Sequence, residues 1–327
     1  MSTSTYSDLD QAVRVRLTVV VDRVAKVADD VAEFELIDAG GAALPAWTAG
    51  SHVDLVLPSG AIRQYSLCGD ERDRDRYRIA VLREQAGRGG SQELHSADLV
   101  GTRLEITLAR NNFPLCEASE HWLIAGGIGV TPLLAMARSL DRKGVPWQML
   151  YTGRTRTSMA YAAELRELDP QRVRTVATTE EGRPDVSGFL AAASPTAAIY
   201  VCGPPELITA VQAACDTRGL DLHTERFSAD AVTGPHESDG PIEVRLDRTG
   251  RTITVPRGCS ILEAVRQELP DTPSSCEEGY CGTCETRVLA GRPEHRDTVL
   301  SARERERNDC MMICVSRAQT PELVLDL

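Results

Sequence analysis

The sequence predicts a multidomain chain of class β, then α/β, then α+β: an antiparallel β-barrel, a domain on a parallel sheet, and a small mixed domain. Three observations predict it. Six short alternating or β-branched runs with turn residues between them fill residues 13–110, strand and helix patterns alternate beyond His121, and a polar stretch sets off a cysteine-rich C-terminal segment. The length of 327 residues suits two or three domains at roughly 150 residues each.

The runs lie at 13–21, 31–37, 52–57, 62–67, 78–82 and 103–108, broken by Gly40-Gly41, Pro58-Ser59-Gly60 and the stretch 87–90. Alternation buries one face of each run, and six at this spacing suggest a barrel. At His121 the period changes. Trp122–Ala125 is a short apolar run, Gly126-Gly127-Ile128-Gly129 follows, and Leu133, Leu134, Met136, Ala137 and Leu140 fall at helical spacing. Strands are expected at 147–151, 173–177 and 197–202, and helices at 160–168 and 206–217. Such alternation implies a parallel sheet with helices on its faces. Residues 228–240 hold almost no apolar side chain and read as a linker. Beyond it come a hairpin (242–246 and 252–255) across Thr249-Gly250, then a helix capped by Ser260 with Ile261, Leu262, Val265 and Leu269 on one face. A cysteine-rich loop and a last strand at 323–327 complete the chain. The expected boundaries are 1–115, 116–228, a linker at 229–241, and 242–327.

Charge and composition exclude several classes. Basic side chains number 36 and acidic ones 48, a net charge of −12 that argues against a nucleic-acid partner. No apolar run reaches the roughly 18 residues of a membrane span, and Met1–Asp10 lack the pattern of a secretory signal. The expected location is the cytoplasm, with no membrane partner. Ten cysteines in that reducing compartment are not a disulfide framework.

Cys276, Cys281 and Cys284 stand as C-x4-C-x2-C, and Cys314 follows with 29 residues between. This is the spacing of plant-type 2Fe–2S ferredoxins. Four thiolates must converge on two irons, so the loop needs small residues, which Ser275, Gly279 and Gly282 supply. Backbone N–H groups in such a loop can point at the sulfurs. The alternatives are a zinc site, which usually shows two short C-x2-C-like pairs where only one is present, and four unrelated thiols. Cys310 competes for the fourth place, and the segment Met311-Met312-Ile313-Cys314 favours Cys314. Cys68, Cys116, Cys215 and Cys259 read as small core or surface thiols.

Two further turns suit phosphate. Ala125–Pro132 follows a strand and opens a helix; Gly126, Gly127 and Gly129 let the backbone approach a phosphate at a positive helix end. The spacing departs from G-x-G-x-x-G, and glycine turns of this kind also arise from packing alone. Cys202-Gly203-Pro204-Pro205-Glu206 is a second strand-end turn, and ligands of parallel sheets gather at such ends. In the barrel, Arg63-Gln64-Tyr65-Ser66 ends one strand, and Gly87-Arg88-Gly89-Gly90-Ser91 follows the next. Arg63 and Arg88 with Ser91 and bare glycine N–H groups suit a terminal phosphate, Tyr65 the face of a flat ring and Ser66 its edge. Taken singly, each reads better as an ordinary strand end or hairpin loop. Tyr151–Arg156 follows a strand where an adenine ribose would lie, and Arg154 or Arg156 could clamp a 2′-phosphate.

In order, R-x-Y-S, GRGGS, GGIGVTP, CGPPE and C-x4-C-x2-C-x29-C resemble the phthalate dioxygenase reductase family, ferredoxin–NADP reductase-like proteins with a C-terminal 2Fe–2S domain. The resemblance runs from about Val13 to Leu327 and takes in Asn111–Leu115 and His295-Arg296-Asp297. It implies an antiparallel flavin-binding β-barrel holding FMN rather than FAD, a parallel-sheet nicotinamide-binding domain, and a β-grasp ferredoxin domain. It carries FMN contacts onto Arg63, Tyr65, Ser66, Ala80, Val81, Gly89, Gly90 and Ser91, with Thr131 and Phe227 also on the flavin side. The nicotinamide dinucleotide is expected at Gly126, Gly127, Gly129, Arg154, Cys202, Gly203 and Pro204, and the cluster on Cys276, Cys281, Cys284 and Cys314. Ser66 near the flavin edge and Cys202 near the nicotinamide are the expected catalytic residues, acting by position. Tyr280 departs from the family pattern, which often has a smaller aliphatic residue there.

The implied activity is an NAD(P)H-dependent relay. NADH, with NADPH left open, reduces FMN, and single electrons pass through the 2Fe–2S cluster to a separate oxygenase. That acceptor would be a Rieske-type aromatic oxygenase or demethylase, or a haem-thiolate monooxygenase. Two other readings are a redox sensor without physiological turnover and a direct flavin reductase of small acceptors. From Gln267 to Thr286 five acids (Glu268, Asp271, Glu277, Glu278, Glu285) stand without a base. They predict an acidic lip around the cluster facing a basic docking partner, or else simply a solvated loop.

Overall fold

Six strands between Arg16 and Thr107 form one antiparallel sheet. Its strands are β1 (Arg16–Ala28), β2 (Val31–Asp38), β3 (His52–Val56), β4 (Ile62–Ser66), β5 (Arg76–Leu82) and β6 (Arg103–Thr107), in the order β4-β3-β6-β1-β2-β5. A bridge between Leu67 and Ile79 joins the two edge strands, so the sheet closes as a barrel and hides its edges. The computed structural model describes residues 15–85, 89–96, 98–227, 234–236, 239–300 and 302–327. Strand β1 runs well past the expected end at Val21. Irregularities between Val21 and Arg23 and between Lys26 and Ala28 let a polar, solvent-facing stretch stay paired with β2. A short helix, Gly90–Ser96, was not legible as a periodic run; Glu93 ties it to the 58–60 turn by accepting from the Ser59 N–H and Oγ at 2.7 and 2.6 Å.

The second sheet is parallel, as the alternating pattern predicts: β7 (His121–Gly126), β8 (Trp147–Gly153), β9 (Val173–Ala177), β10 (Ala198–Cys202) and β11 (Asp221–Glu225), in the order β11-β10-β7-β8-β9. Helices Val130–Lys143, Ala162–Leu168 and Pro205–Arg218 cover it. The first ends at Gly144 with φ +65°, the left-handed conformation that glycine adopts without strain. Strand β11 was not expected, because Asp221–Glu225 (DLHTE) has one aliphatic side chain and is half-exposed at the sheet edge. One buried apolar cluster runs from Val19 of the barrel to Cys202 of β10, so barrel and parallel sheet share a core. Within it Arg110 donates to the Asp54 carboxylate at 2.7 Å, both side chains at most 5% exposed.

The chain divides into two compact units between Phe227 and Ser228. In the second, β12 (Ile242–Leu246), β13 (Arg251–Val255), β14 (Glu285–Ala290), β16 (Cys310–Met312) and β18 (Glu322–Leu325) form a mixed sheet in the order β13-β12-β18-β14-β16; β15 (Pro293–Glu294) pairs with β17 (Arg317–Ala318). Strands β12 and β18 run parallel, and helix Ile261–Glu268 lies against the sheet, which is the β-grasp arrangement. Ser260 caps that helix through its Oγ, which accepts from the Glu263 N–H at 3.0 Å. The two terminal guanidinium nitrogens of Arg296 donate to the Asp239 carboxylate at 2.8 Å, so the chain entering β12 is pinned to this unit. Among the described residues no helix is long and apolar enough to cross a membrane.

Candidate functional site

The cysteine loop lies between helix Ile261–Glu268 and β14. Glu277, Gly279 and Gly282 carry φ of +56°, +76° and +77°, which curls the chain back on itself. A Cβ on Gly279 would fall 2.6 Å from Val315 Cγ2, so glycine is needed there for space as well as conformation. Cys276, Cys281, Cys284 and Cys314 are all buried, at 3–5% exposure, and none is in a disulfide. The Cys276 N–H points at Cys281 Sγ (3.4 Å) and the Glu278 N–H at Cys276 Sγ (3.3 Å). The Cys276 thiol and burial together hold Cys281 well above the usual thiol range. Crowded, desolvated thiols resist becoming four anions unless cations sit among them, and inward backbone donors add to that stabilisation. These residues therefore fit an iron–sulfur cluster. Cys310 is not among them: it lies on β16 paired with Arg287, and burial pushes its thiol up to about 12.

The acidic lip is partly neutralised from outside its own segment. Arg266 donates to Glu277 at 2.7 Å, Arg251 pairs with Glu268, and Glu285 is half-buried with its carboxyl raised by desolvation. A count over 267–286 leaves out these partners, because Arg266 immediately precedes the segment and Arg251 lies on β13.

In the barrel, Arg63, Tyr65 and Ser66 sit together on β4, and Ala80 and Val81 on β5. Ser66 pairs with His52 across β3 and is buried. A Cβ on Gly90 would meet Arg63 Nε at 2.8 Å and Leu57 Cδ1 at 2.9 Å, so the helix start is pressed onto the Arg63 side chain. Gly89 (φ +82°) faces open space. The Ser91 hydroxyl accepts from the Glu84 N–H at 3.1 Å, and a ring nitrogen of His95 lies 2.9 Å from Val81 O. The structure thus brings Arg63, Gly89, Gly90 and Ser91 together; Arg88 lies outside the described residues. The arrangement fits a phosphate-bearing flat ring.

At the carboxyl ends of the parallel strands two turns interlock. A Cβ on Gly129 would lie 2.3 Å from Cys202 O, one on Gly126 2.5 Å from Pro204 Cδ, and one on Gly203 2.8 Å from Gly126 Cα. Gly126, Gly129 and Gly203 are therefore spent on chain-to-chain packing. Gly127 (φ +53°) is the one that faces open space, at the start of the helical turn leading into Val130–Lys143. Thr131 is buried, with its hydroxyl on Ile128 O at 3.0 Å. Phe227 is 36% exposed and so is not core packing. Arg154 and Arg156 are both exposed; Arg156 is bound by Glu180 (3.0 Å) and Glu181 (2.9 Å).

One residue here escaped the sequence reading. Glu225 ends β11 in register with Cys202, and its Oε2 is buried without a hydrogen-bond partner among the described residues. Burial pushes its carboxyl up to about 8. The Cys202 thiol is likewise raised, by burial and then by Glu225, so it stays neutral. Tyr151 OH and Thr152 Oγ1, near the end of β8, are also buried and unpartnered among the described residues. Unpartnered buried polar atoms are uncommon in proteins. Glu225 on β11, and Tyr151 and Thr152 on β8 with β10 and β7 between, lie toward the carboxyl end of the parallel sheet, where ligands of such sheets gather. The signal for Glu225 was its place two residues before Phe227, but without β11 it had no strand end to belong to.

Comparison with known proteins agrees with this geometry. Residues 244–319 match the 2Fe-2S iron-sulfur cluster binding domain family, and residues 111–224 match the family described as dimethylamine monooxygenase subunit DmmA-like, N-terminal domain. The chain is 43% identical to the phenoxybenzoate dioxygenase subunit beta of Ectopseudomonas oleovorans over 94% of this chain and 96% of that protein. It is 39% identical to phthalate dioxygenase reductase of Burkholderia cepacia over 92% and 94%. Among solved structures, phthalate dioxygenase reductase superposes with a TM-score of 0.72 at 36% identity, covering 95% of this chain and 98% of that one. An intact type IV self-sufficient cytochrome P450 monooxygenase superposes with a TM-score of 0.86 at 36% identity, covering all of this chain and 42% of that one. Identity at this level, sustained from barrel to cluster loop, means that the chain belongs to the phthalate dioxygenase reductase family.

Proposed function

We propose that this chain is the reductase component of an oxygenase system, taking reducing equivalents from NADH through FMN and a 2Fe–2S cluster to a separate oxygenase. One observation carries the reading: a single chain combines a buried four-thiol loop suited to iron with a parallel sheet whose carboxyl end holds buried polar atoms without hydrogen-bond partners among the described residues. When bound, the flavin and the cluster together turn a two-electron delivery into successive one-electron steps.

The residues supply position and polarity. Arg63, the Gly89 and Gly90 N–H groups and Ser91 would hold the flavin phosphate, with Tyr65 and Ser66 on β4 as the residues that would meet its ring. Ala80 and Val81 would supply backbone contacts, and Thr131 and Phe227 would complete the flavin side. Gly127 offers the open approach to the dinucleotide pyrophosphate, and Gly126, Gly129, Gly203 and Pro204 shape the floor beside it. Cys202 presents a neutral, polarisable thiol to the nicotinamide, and Glu225, protonated at neutral pH, presents a hydrogen-bond donor from the next strand. NADH is favoured over NADPH because Arg156 is already bound by two carboxylates, which would repel a 2′-phosphate; Arg154 is then a ribose-side contact. The acceptor proposed is an aromatic-ring oxygenase or O-demethylase, the class to which the names of the relatives point.

The test is an absorbance spectrum of the purified protein, followed by anaerobic titration with NADH and then NADPH. Flavin and iron–sulfur bands that both bleach with NADH support the reading. Protein that stays colourless after reconstitution with FMN, iron and sulfide, or whose cluster band resists NADH while the flavin bleaches, overturns it.

A further inference from the structure

At the opposite, amino-terminal ends of the parallel strands lies a cluster that plays no part in the proposed relay. Cys116 Sγ is 3.6 Å from His223 Nε2, which is 3.1 Å from Asp221 Oδ2, and the three ligand atoms lie within 4.8 Å of one another. We propose that Cys116, His223 and Asp221 form a binding site for one borderline-soft divalent cation of the Zn2+ type.

Two of the separations, sulfur to nitrogen at 3.6 Å and nitrogen to oxygen at 3.1 Å, are close to those a tetrahedral ion sets. Zinc bonds of roughly 2.3 Å to sulfur, 2.05 Å to nitrogen and 2.0 Å to oxygen place S and N about 3.5 Å apart, and N and O about 3.3 Å apart. The donor set also suits such an ion: one thiolate, one imidazole and one carboxylate leave a fourth position for water.

The ligands are held from behind. The fully buried Tyr200 stacks on the His223 ring, with centroids 4.6 Å apart at 13°. Its hydroxyl accepts from the Cys116 N–H at 2.7 Å and donates to Pro114 O at 2.8 Å. A ring nitrogen of His121 lies 3.1 Å from Cys116 O. One aromatic side chain thereby orients two ligands that lie 107 residues apart. Cys116 and His223 are half-buried and Asp221 is exposed, so an ion has a path in from solvent. On binding, the Cys116 thiol gives up its proton to solvent and its sulfur bonds the metal, with no redox change.

The test uses holoprotein with its flavin and full iron content, so that the cluster cysteines are occupied. It is equilibrated with Zn2+ alone and dialysed against a weak chelator, and metal per chain is counted by mass spectrometry. About one zinc per chain beyond iron is expected, and Cys116→Ser or His223→Gln should weaken its retention roughly tenfold or more. In parallel, Zn2+ should slow alkylation of Cys116, read by peptide mapping, about tenfold. Should either variant lose its flavin, Asp221→Asn is expected to show the same weakening with the fold intact. Failure to retain zinc, zinc retained equally by the folded variants, or a Cys116 alkylation rate indifferent to Zn2+ overturns the site and leaves the ring and thiol as an ordinary hydrogen-bonded pair. The outcome is independent of the electron-transfer reading, since no step measured involves NADH.

Discussion

A methyl group on Gly129 would lie 2.3 Å from the carbonyl oxygen of Cys202. The glycine-rich turn is thus locked against the turn after β10 by backbone contact, and neither can move without the other. Gly129→Ala is expected to cost about 1–3 kcal/mol of stability and to weaken dinucleotide binding, because a backbone clash cannot be relieved by a rotamer change. Gly127→Ala has room, and should cost only the roughly 1–2 kcal/mol of a left-handed non-glycine residue. Denaturant melts and NADH titrations of the two variants check the order; equal loss of affinity without loss of stability at position 129 would contradict the packing account.

Glu225 makes stability depend on pH in a defined direction. Its folded carboxyl is raised to about 8 from 4.5, so between those values the folded state holds a proton that the unfolded state releases. This part of the stability is present below about pH 4.5 and is lost as pH rises toward 8, at a limiting slope of about 1.4 kcal/mol per unit. Glu225→Gln keeps a neutral hydrogen-bonding group and should flatten that slope. Urea melts of both proteins from pH 5.5 to 8.5 read it directly, and parallel curves would remove Glu225 as the cause.

Cofactor choice should respond to the carboxylates around Arg156. Replacing Glu180 and Glu181 by Gln frees that guanidinium and removes two like charges from the path of a 2′-phosphate. The ratio of kcat/KM for NADPH to that for NADH is expected to rise about tenfold, the worth of one charge-assisted contact of roughly 1.4 kcal/mol. A ratio that does not move would place the adenine ribose elsewhere.

The cluster loop and the flavin barrel should separate in function. In Cys281→Ser, iron content and delivery to cluster-dependent one-electron acceptors are expected to disappear, while NADH oxidation by a flavin-level acceptor persists. Paired assays on one preparation decide it; if both activities survived unchanged, the relay order would be wrong.

The barrel also holds a charge pair whose removal should be costly. Arg110→Met takes the guanidinium from the Asp54 carboxylate, which keeps its contact to Gln64 Nε2 at 3.3 Å but loses its buried charge partner, and a loss of about 3–5 kcal/mol is expected. Replacing both residues with apolar ones should recover most of it. A thermal-melt double-mutant cycle measures the difference.

Much of this was legible in the chain itself. The alternation from Val31 to Leu82, the helical period after Gly129 and the cysteine spacing depend only on residues near one another in sequence, and each local pattern has one dominant physical solution. Strand β11 and the later half of β1 were not legible, because a half-exposed edge strand and a bulged, solvent-facing one bury too little apolar surface to leave a run.

What the sequence determined alone was the order of the modules and the identity of the four converging thiols, since both follow from local spacing. Tertiary structure decided which glycines serve packing and which face open space, since that depends on a chain segment some 75 residues away. It also decided that Glu225 is buried beside Cys202, that the acidic lip is partly compensated by Arg251 and Arg266, and that Cys116 meets His223. In each case a side chain's charge, exposure or partner is set by neighbours that only folding brings within a few ångströms, and electrostatics and close packing act over that distance alone.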